Sequence, residues 1–291
     1  MARAASLVAL AAWSAPASAH ADGEAVAWKE QWPRFRWSEG AATVGLVTAS
    51  LVEDRVLQGP AEPHWTGALL FDNQVRGVLR GRSDHLQRAS SRYADIGYRT
   101  LSFLPYFDVA IALGVHRSAD VALQMFLIDV QSQSFTGSLT LFTKWLVGRQ
   151  RPYARDCTPN GTVGVHSCGS RYDNISFFSG HTSAAFTGAA LTCVHHANLP
   201  LYGGGLPDQW ACVWAMSVAA GTGLLRIVSD DHYASDVLMA AGVGIFSGYV
   251  VPSLLHYGFG SAKNTRPSGL RVVPTLQPVV GGIGVGVAGS L

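Results

Sequence analysis

The chain has 291 residues, enough to bury one large core or two small ones. Hydrophobic residues make up 48% and charged residues 14%, and the mean hydropathy of +0.19 falls between ordinary soluble proteins and membrane proteins. A formal net charge of +2, without any basic run or basic–aromatic stripe, excludes an ordinary nucleic-acid surface.

The chain opens with Arg3, an apolar run from Ala4 to Trp13, and the small-residue triplet Ala17-Ser18-Ala19. This order predicts a secretory signal over residues 1–21, since the run is too short to cross a bilayer and ends in an A-x-A site. The expected location is therefore periplasmic or secreted, with membrane association left open. Residues Glu24 to Trp37 hold several tryptophans and read as an irregular stretch on the surface of the core. Ser38 can cap a helix from Glu39 to Leu57, which Gly59-Pro60 ends. Solvated helices are expected near Phe71 to Arg80 and from Ser83 to Tyr98, then apolar ones over Ser102–Val115, Ser118–Val147, Gly180–Ala197, Asp208–Val228 and His232–Leu255. The expected fold is all-α: one helical bundle over 22–260, with the site at one end of its core helices. The tail, 261–291, alternates apolar with small residues around Pro278 and Gly281-Gly282, and reads as either a β-hairpin or a loose end.

Export makes the four cysteines disulfide candidates. Cys157 and Cys168 bracket a loop rich in Asn, Gly and Asp and are the favoured pair. Cys193 and Cys212 sit at facing helix ends, suited equally to a second bridge or to buried thiols. No cysteine spacing resembles a zinc site, and no metal is expected.

Three stretches carry chemistry. Lys144 and Arg151 stand seven residues apart in KWLVGRQRP, where Gly148 and Pro152 predict a helix end with Arg151 on the turn beyond it. Phe178-Ser179-Gly180-His181 opens an apolar helix, whose first N–H groups and glycine suit an anion. Ser179 alone also reads as an ordinary N-cap. In LRIVSDDHYASD, Arg226 precedes His232, and Asp236 lies at i+4 from that histidine, on one face if Tyr233 onward is helical. A carboxylate there would fix the imidazole tautomer and free the other nitrogen as a nucleophile. His116, His166, His195 and His196 lack partners at a useful sequence spacing and read as structural.

Together the three stretches resemble the signature of type 2 phosphatidic acid phosphatases and vanadium haloperoxidases, K-x6-RP, then PSGH, then SR-x5-H-x3-D. Order and spacing match from Lys144 to Asp236; the departures are Phe178 for proline and Leu225 for serine. Phe178 bears on loop rigidity and Leu225 on how firmly Arg226 is held; neither removes a catalytic group. The resemblance implies that Lys144, Arg151, Arg226, Ser179 and the Gly180 N–H bind a phosphate. It implies that His232 attacks phosphorus, that Asp236 holds its ring, and that His181 protonates the leaving group and then activates water. It implies a metal-independent phosphomonoesterase with no cofactor, for which vanadate would be an inhibitor.

The partner is then a phosphorylated small molecule or a lipid phosphate. Val237 to Leu255 is uncharged and long enough to cross a bilayer at ~20 residues. Yet Asp129, Gln131, Gln133 and Lys144 in the preceding long helix are costly in lipid unless they face inward. With the signal cleaved, three spans before Arg151 would put the site and Cys157–Cys168 in the cytoplasm. The favoured reading is a soluble or peripheral bundle resembling the family's secreted acid phosphatases, and the alternative is a membrane-embedded lipid phosphatase. A haloperoxidase, with vanadate as cofactor on His232, is disfavoured because those enzymes usually have longer chains. A non-catalytic phosphate binder is disfavoured because His181, His232 and Asp236 would be superfluous.

Overall fold

The structure is a computed structural model, described over residues 25–57, 59–158, 161–258, 271–279 and 282–290. The expected signal, 1–21, lies outside the described residues, as do residues 259–270. Seven α-helices follow in order among the described residues: α1 Trp37–Val56, α2 Asp72–Leu79, α3 Asp84–Gly114, α4 Ala119–Val147, α5 Gly180–Asn198, α6 Leu206–Val228 and α7 Ala234–Ile245. Beyond α7 the helix continues through two π-helical turns, Phe246–Val250 and Ser253–Tyr257. A two-residue ladder, β1 Thr162–Val163 with β2 His166–Ser167, forms within the loop after α4. In the tail, β3 Arg271–Val279 pairs antiparallel with β4 Gly282–Ser290, so the hairpin alternative holds. The fold is all-α with these two small hairpins.

Helix α5 is the hub, packed against α3, α4, α6 and α7. Small residues let its neighbours come close: a Cβ on Gly188 would lie 1.9 Å from the Leu101 carbonyl oxygen of α3. Likewise a Cβ on Gly248 would lie 2.4 Å from the Thr187 carbonyl oxygen. The break expected between Tyr98 and Ser102 is absent, and α3 runs unbroken through Pro105. Proline removes the N–H that would bond the Leu101 carbonyl, so one rung of the helix is missing there. Gly188 packs against that carbonyl, and the Gln133 side chain donates to the next one, Ser102 O, at 3.0 Å.

The end of the bundle away from the site is closed by aromatics. Trp28 and Trp32 are buried against Tyr257, with ring centroids 5.4 and 5.0 Å away. The tryptophan-rich stretch therefore enters the core rather than lying on it, although Trp37 remains exposed. Large aromatic area explains this, because a free helix-bundle end offers it a place to leave water. Both cysteine pairs are bridged, Cys157–Cys168 in the loop after α4 and Cys193–Cys212 between α5 and α6. The four histidines without sequence-near partners find distant ones. His195 bonds Asp129 and Tyr257 at 2.8 Å each, His196 bonds Asp208, and His116 and His166 bond the Leu201 and Ser229 carbonyls.

Beside the apolar core, many polar groups are buried and many large apolar side chains are exposed. Asp108, Asp129, Ser132, Thr136, Thr187 and His195 are buried, whereas Phe103, Phe107, Phe142, Leu146, Trp210, Trp214, Leu238 and Met239 are exposed. Of the polar residues of α4, Asp129 and Gln133 turn toward other helices, and Lys144 toward the Ile175 carbonyl in the loop before α5. Two segments, Leu206–Val228 and Ala234–Tyr257, are long and apolar enough to cross a membrane by length and composition.

Candidate active site

The end of α4, the starts of α5 and α7 and the end of α6 meet at one end of the bundle, beside the first half of α3. Gly148 ends α4 in the left-handed conformation at φ 52°, as glycine does most readily, and turns the chain so that Arg149 and Arg151 reach back over the helix ends. Lys144, one turn earlier, donates from Nζ to the Ile175 carbonyl at 2.6 Å. Ser179 is the N-cap of α5 and is fully buried. Its Oγ accepts from the Thr182 hydroxyl at 2.9 Å, which leaves its own proton to donate. Gly180 follows without a side chain, and a Cβ there would lie 3.7 Å from Lys144 Cε, so this helix start faces the lysine.

Arg226 and Arg151 are joined through a carboxylate that the motif does not contain. Asp231 accepts from Arg151 Nη1 at 2.8 Å and lies 3.2 Å from Arg226 Nη2, while Ser229 Oγ donates to it at 2.6 Å. Burial works to raise its carboxyl, but Arg226 and Arg151 outweigh this and hold it below the usual carboxylate range. Arg226 also donates to Ser91 Oγ of α3 at 3.3 Å, and so does not depend on the hydroxyl absent at Leu225. Phe178 is 3% exposed, so burial anchors the loop where proline would have stiffened it.

His232 is 2% exposed in the turn between α6 and α7. Its Nδ1 donates to the Ser176 carbonyl at 2.8 Å, which fixes the tautomer and leaves an Nε2 lone pair. Burial pushes the imidazole well below its ordinary value, and Arg151, Lys144 and Arg226 push it further. Here the geometry departs from the expectation that Asp236 holds the ring. Helix α7 begins at Ala234, so His232 precedes the helix instead of sharing its face, and the Asp236 carboxylate lies 3.7 Å from Nδ1. Asp236 is taken up by Arg149 Nη1, Ser176 Oγ and the Tyr233 N–H. It therefore positions the Ser176 segment that orients the imidazole.

Arg149 was not singled out by spacing. It is fully buried, pairs with Asp236 and with Asp72 of α2, and lies 4.1 Å from the centroids of both the Trp65 and Tyr233 rings. His181, in the first turn of α5, is half-buried; its Nε2 lies 2.8 Å from Asp95 of α3, and its ring meets Tyr98 edge-on. The structure thus brings Lys144, Arg151, Ser179, Gly180, His181, Arg226, His232 and Asp236 to one end of the bundle. The residues missed by spacing are Arg149, Asp231, Asp95 and Ser176. The sole local signal for any of them is the Asp230-Asp231 doublet beside His232.

Similarity agrees with this geometry. Residues 122–259 match the PAP2 superfamily model. A lipid A 1-phosphatase of Porphyromonas gingivalis is 34% identical over 125 residues, 43% of this chain and 22% of that protein. The chain thus matches about a fifth of that relative's length, and no solved structure matches. The matched segment holds both histidines and all three cup cations, and over it the chain is similar to the PAP2 superfamily.

Proposed function

We propose that this protein is a phosphoric monoester hydrolase that works through a phosphohistidine on His232 and acts on phosphate carried by a lipid. The observation that supports it most is a neutral, buried imidazole, its Nε2 free, among Lys144, Arg151 and Arg226. A phosphomonoester carries roughly −1.5 to −2 at neutral pH; Arg151 and Arg226 meet it as cations, and Lys144, pushed down to about 7 by burial and by Arg151, gains its proton more readily once the anion is beside it. The arginines grip oxygens in forked pairs, Lys144 adds a point charge, and Ser179 and the start of α5 supply directed donors. Nε2 then attacks phosphorus as the P–O bond to the alcohol breaks; burial and Arg226 push His181 down to about 4 against the pull of Asp95, so the step uses its protonated form, which gives that proton to the departing oxygen. The neutral His181 next takes a proton from water, the water oxygen attacks phosphorus, the N–P bond breaks, and phosphate leaves.

The lipid part rests on the surroundings of the cup. A cavity of about 620 Å³ runs down the bundle from Lys144, Gly180 and His181 between α3, α4 and α5, walled by Tyr98, Phe103, Tyr106 and Leu141. It suits an alkyl chain whose phosphate lies in the cup. The exposed apolar faces suit contact with lipid, and the matched relative is a lipid A 1-phosphatase. A second reading, a soluble or peripheral exported bundle, is favoured by the disulfides. Cys157–Cys168 lies at the site end and Cys193–Cys212 toward the other, so both ends would face an oxidising compartment.

The test is release of inorganic phosphate from phosphatidic acid in mixed micelles and from a soluble aryl phosphate, with chelator present. The expected result is turnover of both, with kcat/KM higher for the lipid and inhibition by vanadate. Preference for the soluble ester would remove the lipid assignment, and vanadate-dependent bromination would replace the phosphatase reading by a haloperoxidase.

A further inference from the structure

The signature residues come from α4, α5, α6, α7 and the turns between them, whereas α3, which stands beside the cup, carries none. Glycine brings this helix close. A Cβ on Gly97 of α3 would lie 2.3 Å from Thr222 Oγ1 of α6, and Gly188 of α5 meets the Leu101 carbonyl in the same way. Ser91, Asp95 and Tyr98 share one face of α3 at i, i+4 and i+7, and all three reach the site. Ser91 Oγ accepts from Arg226 at 3.3 Å, and the Tyr98 ring meets the His181 imidazole edge-on with centroids 4.9 Å apart. Between them, Asp95 Oδ1 lies 2.8 Å from His181 Nε2 and 4.0 Å from Arg226 Nη1. The Asp95 side chain is 45% exposed. Such a half-exposed pair adds little to folding stability, so it is not what holds α3 against α5.

The charges around His181 are unevenly placed. Burial opposes a proton on the ring, and Arg226 of α6 opposes it further, while Asp95 of α3 and Asp231 of the turn before His232 favour it. Arg99 of α3 and Lys144 of α4 line the cavity next to it. Of the two carboxylates only Asp95 touches the imidazole, since Asp231 is taken up by Arg151, Arg226 and Ser229. Resting on the phosphatase reading above, we propose that Asp95 is the positioning residue of the acid–base step, holding the His181 ring at Nε2 and acting as counter-ion to the imidazolium that protonates the departing alcohol. Nδ1, which has no hydrogen bond among the described residues, is left to carry the travelling proton. As the P–O bond breaks, that proton passes from Nδ1 to the alcohol oxygen, and the neutral ring then takes one from the attacking water. Asp95 transfers no proton in either step and acts only through His181.

The experiment compares a primary-alkyl phosphomonoester, whose alcohol needs a proton to leave, with p-nitrophenyl phosphate, whose phenolate leaves without one. Both are given to the unmodified protein, Asp95→Asn and Asp95→Glu. Removing a touching carboxylate should make the imidazolium about tenfold scarcer, which corresponds to a titration midpoint about one pH unit lower. The expected kcat/KM of Asp95→Asn is therefore about tenfold lower on the alkyl ester, with less than about a threefold loss on the nitrophenyl ester. Asp95→Glu should recover most of the alkyl activity. An equal loss on both esters would make Asp95 a structural residue, and no loss on either would make it a bystander; both results overturn the proposal. An NMR titration of the His181 ring gives a readout that needs no turnover. Its midpoint should fall by about one pH unit in Asp95→Asn and stay near the parent's in Asp95→Glu, and an unmoved midpoint in Asp95→Asn would equally overturn the proposal. If the unmodified protein hydrolyses neither ester, the phosphatase reading falls, and the titration alone decides whether Asp95 holds the ring.

Discussion

Arg149 shows what spacing alone conceals. It lies two residues from Arg151, yet one guanidinium closes an internal Asp72–Arg149–Asp236 network while the other faces the cup. No local pattern distinguishes them, because their partners come from residues 72, 231 and 236. The motif residues were legible because their spacing is fixed by the chemistry they share. Asp95, Asp231 and Ser176 were not, since each acts through a contact made only on folding. Arg149→Met should leave two buried carboxylates unpaired and cost about 3–5 kcal/mol of unfolding free energy. Lysine would not restore the forked, ring-stacked arrangement. A chemical-denaturation midpoint unchanged in Arg149→Met would refute the network. His232 supplies a pH prediction. Its folded-state value is lowered, so the unfolded chain binds the proton more readily and stability falls as pH drops below the ordinary 6.5. The same lowering keeps His232 neutral at 6.5, so activity should not decline there on its account. An NMR titration of this imidazole centred near 6.5 would contradict both statements.

Helices were readable from periodicity and caps, and most boundaries fall within a few residues of expectation. The exceptions have physical causes. The expected end at Tyr98 and restart at Ser102 merge into one helix, whose Leu101 carbonyl, freed by Pro105, lies against Gly188 of α5. Gly188→Ala should therefore lower the melting temperature markedly, since its Cβ would meet the Leu101 carbonyl and neither backbone can withdraw cheaply. A melting temperature within a degree or two of the parent would show that α3 and α5 can part there. The Cys157–Cys168 bridge closes a loop with a sequence separation of 11 beside the cup. Replacing both by serine should cost about 2–4 kcal/mol and reduce kcat, because the bridged segment leads to Asp173, whose carbonyl accepts from the Arg151 N–H. Loss of stability with kcat unchanged would separate the loop from the site.

At the scale of the molecule, composition anticipated the outcome only in part. A hydrophobic content of 48% allowed either a large core or apolar surface, and the structure shows both: an apolar core with polar groups buried in it, and large apolar side chains left outside. The two-faced pattern of each helix was a poor guide here, since a helix with serine, threonine and aspartate inward and leucine outward resembles one turned around. This arrangement predicts that the protein stays with the membrane fraction after a high-salt wash and is released by detergent. Recovery in the aqueous fraction without detergent would favour the exported soluble bundle. The claim beneath all of this is that three separated segments make one oxyanion cup with His232 as its nucleophile. The direct measurement is quenching turnover of a ³²P-labelled phosphomonoester in alkali and sequencing the labelled peptide. The expected result is an acid-labile, alkali-stable label on His232, absent from His232→Ala, which should also be inactive. Label on another residue, or appreciable turnover in His232→Ala, would contradict it.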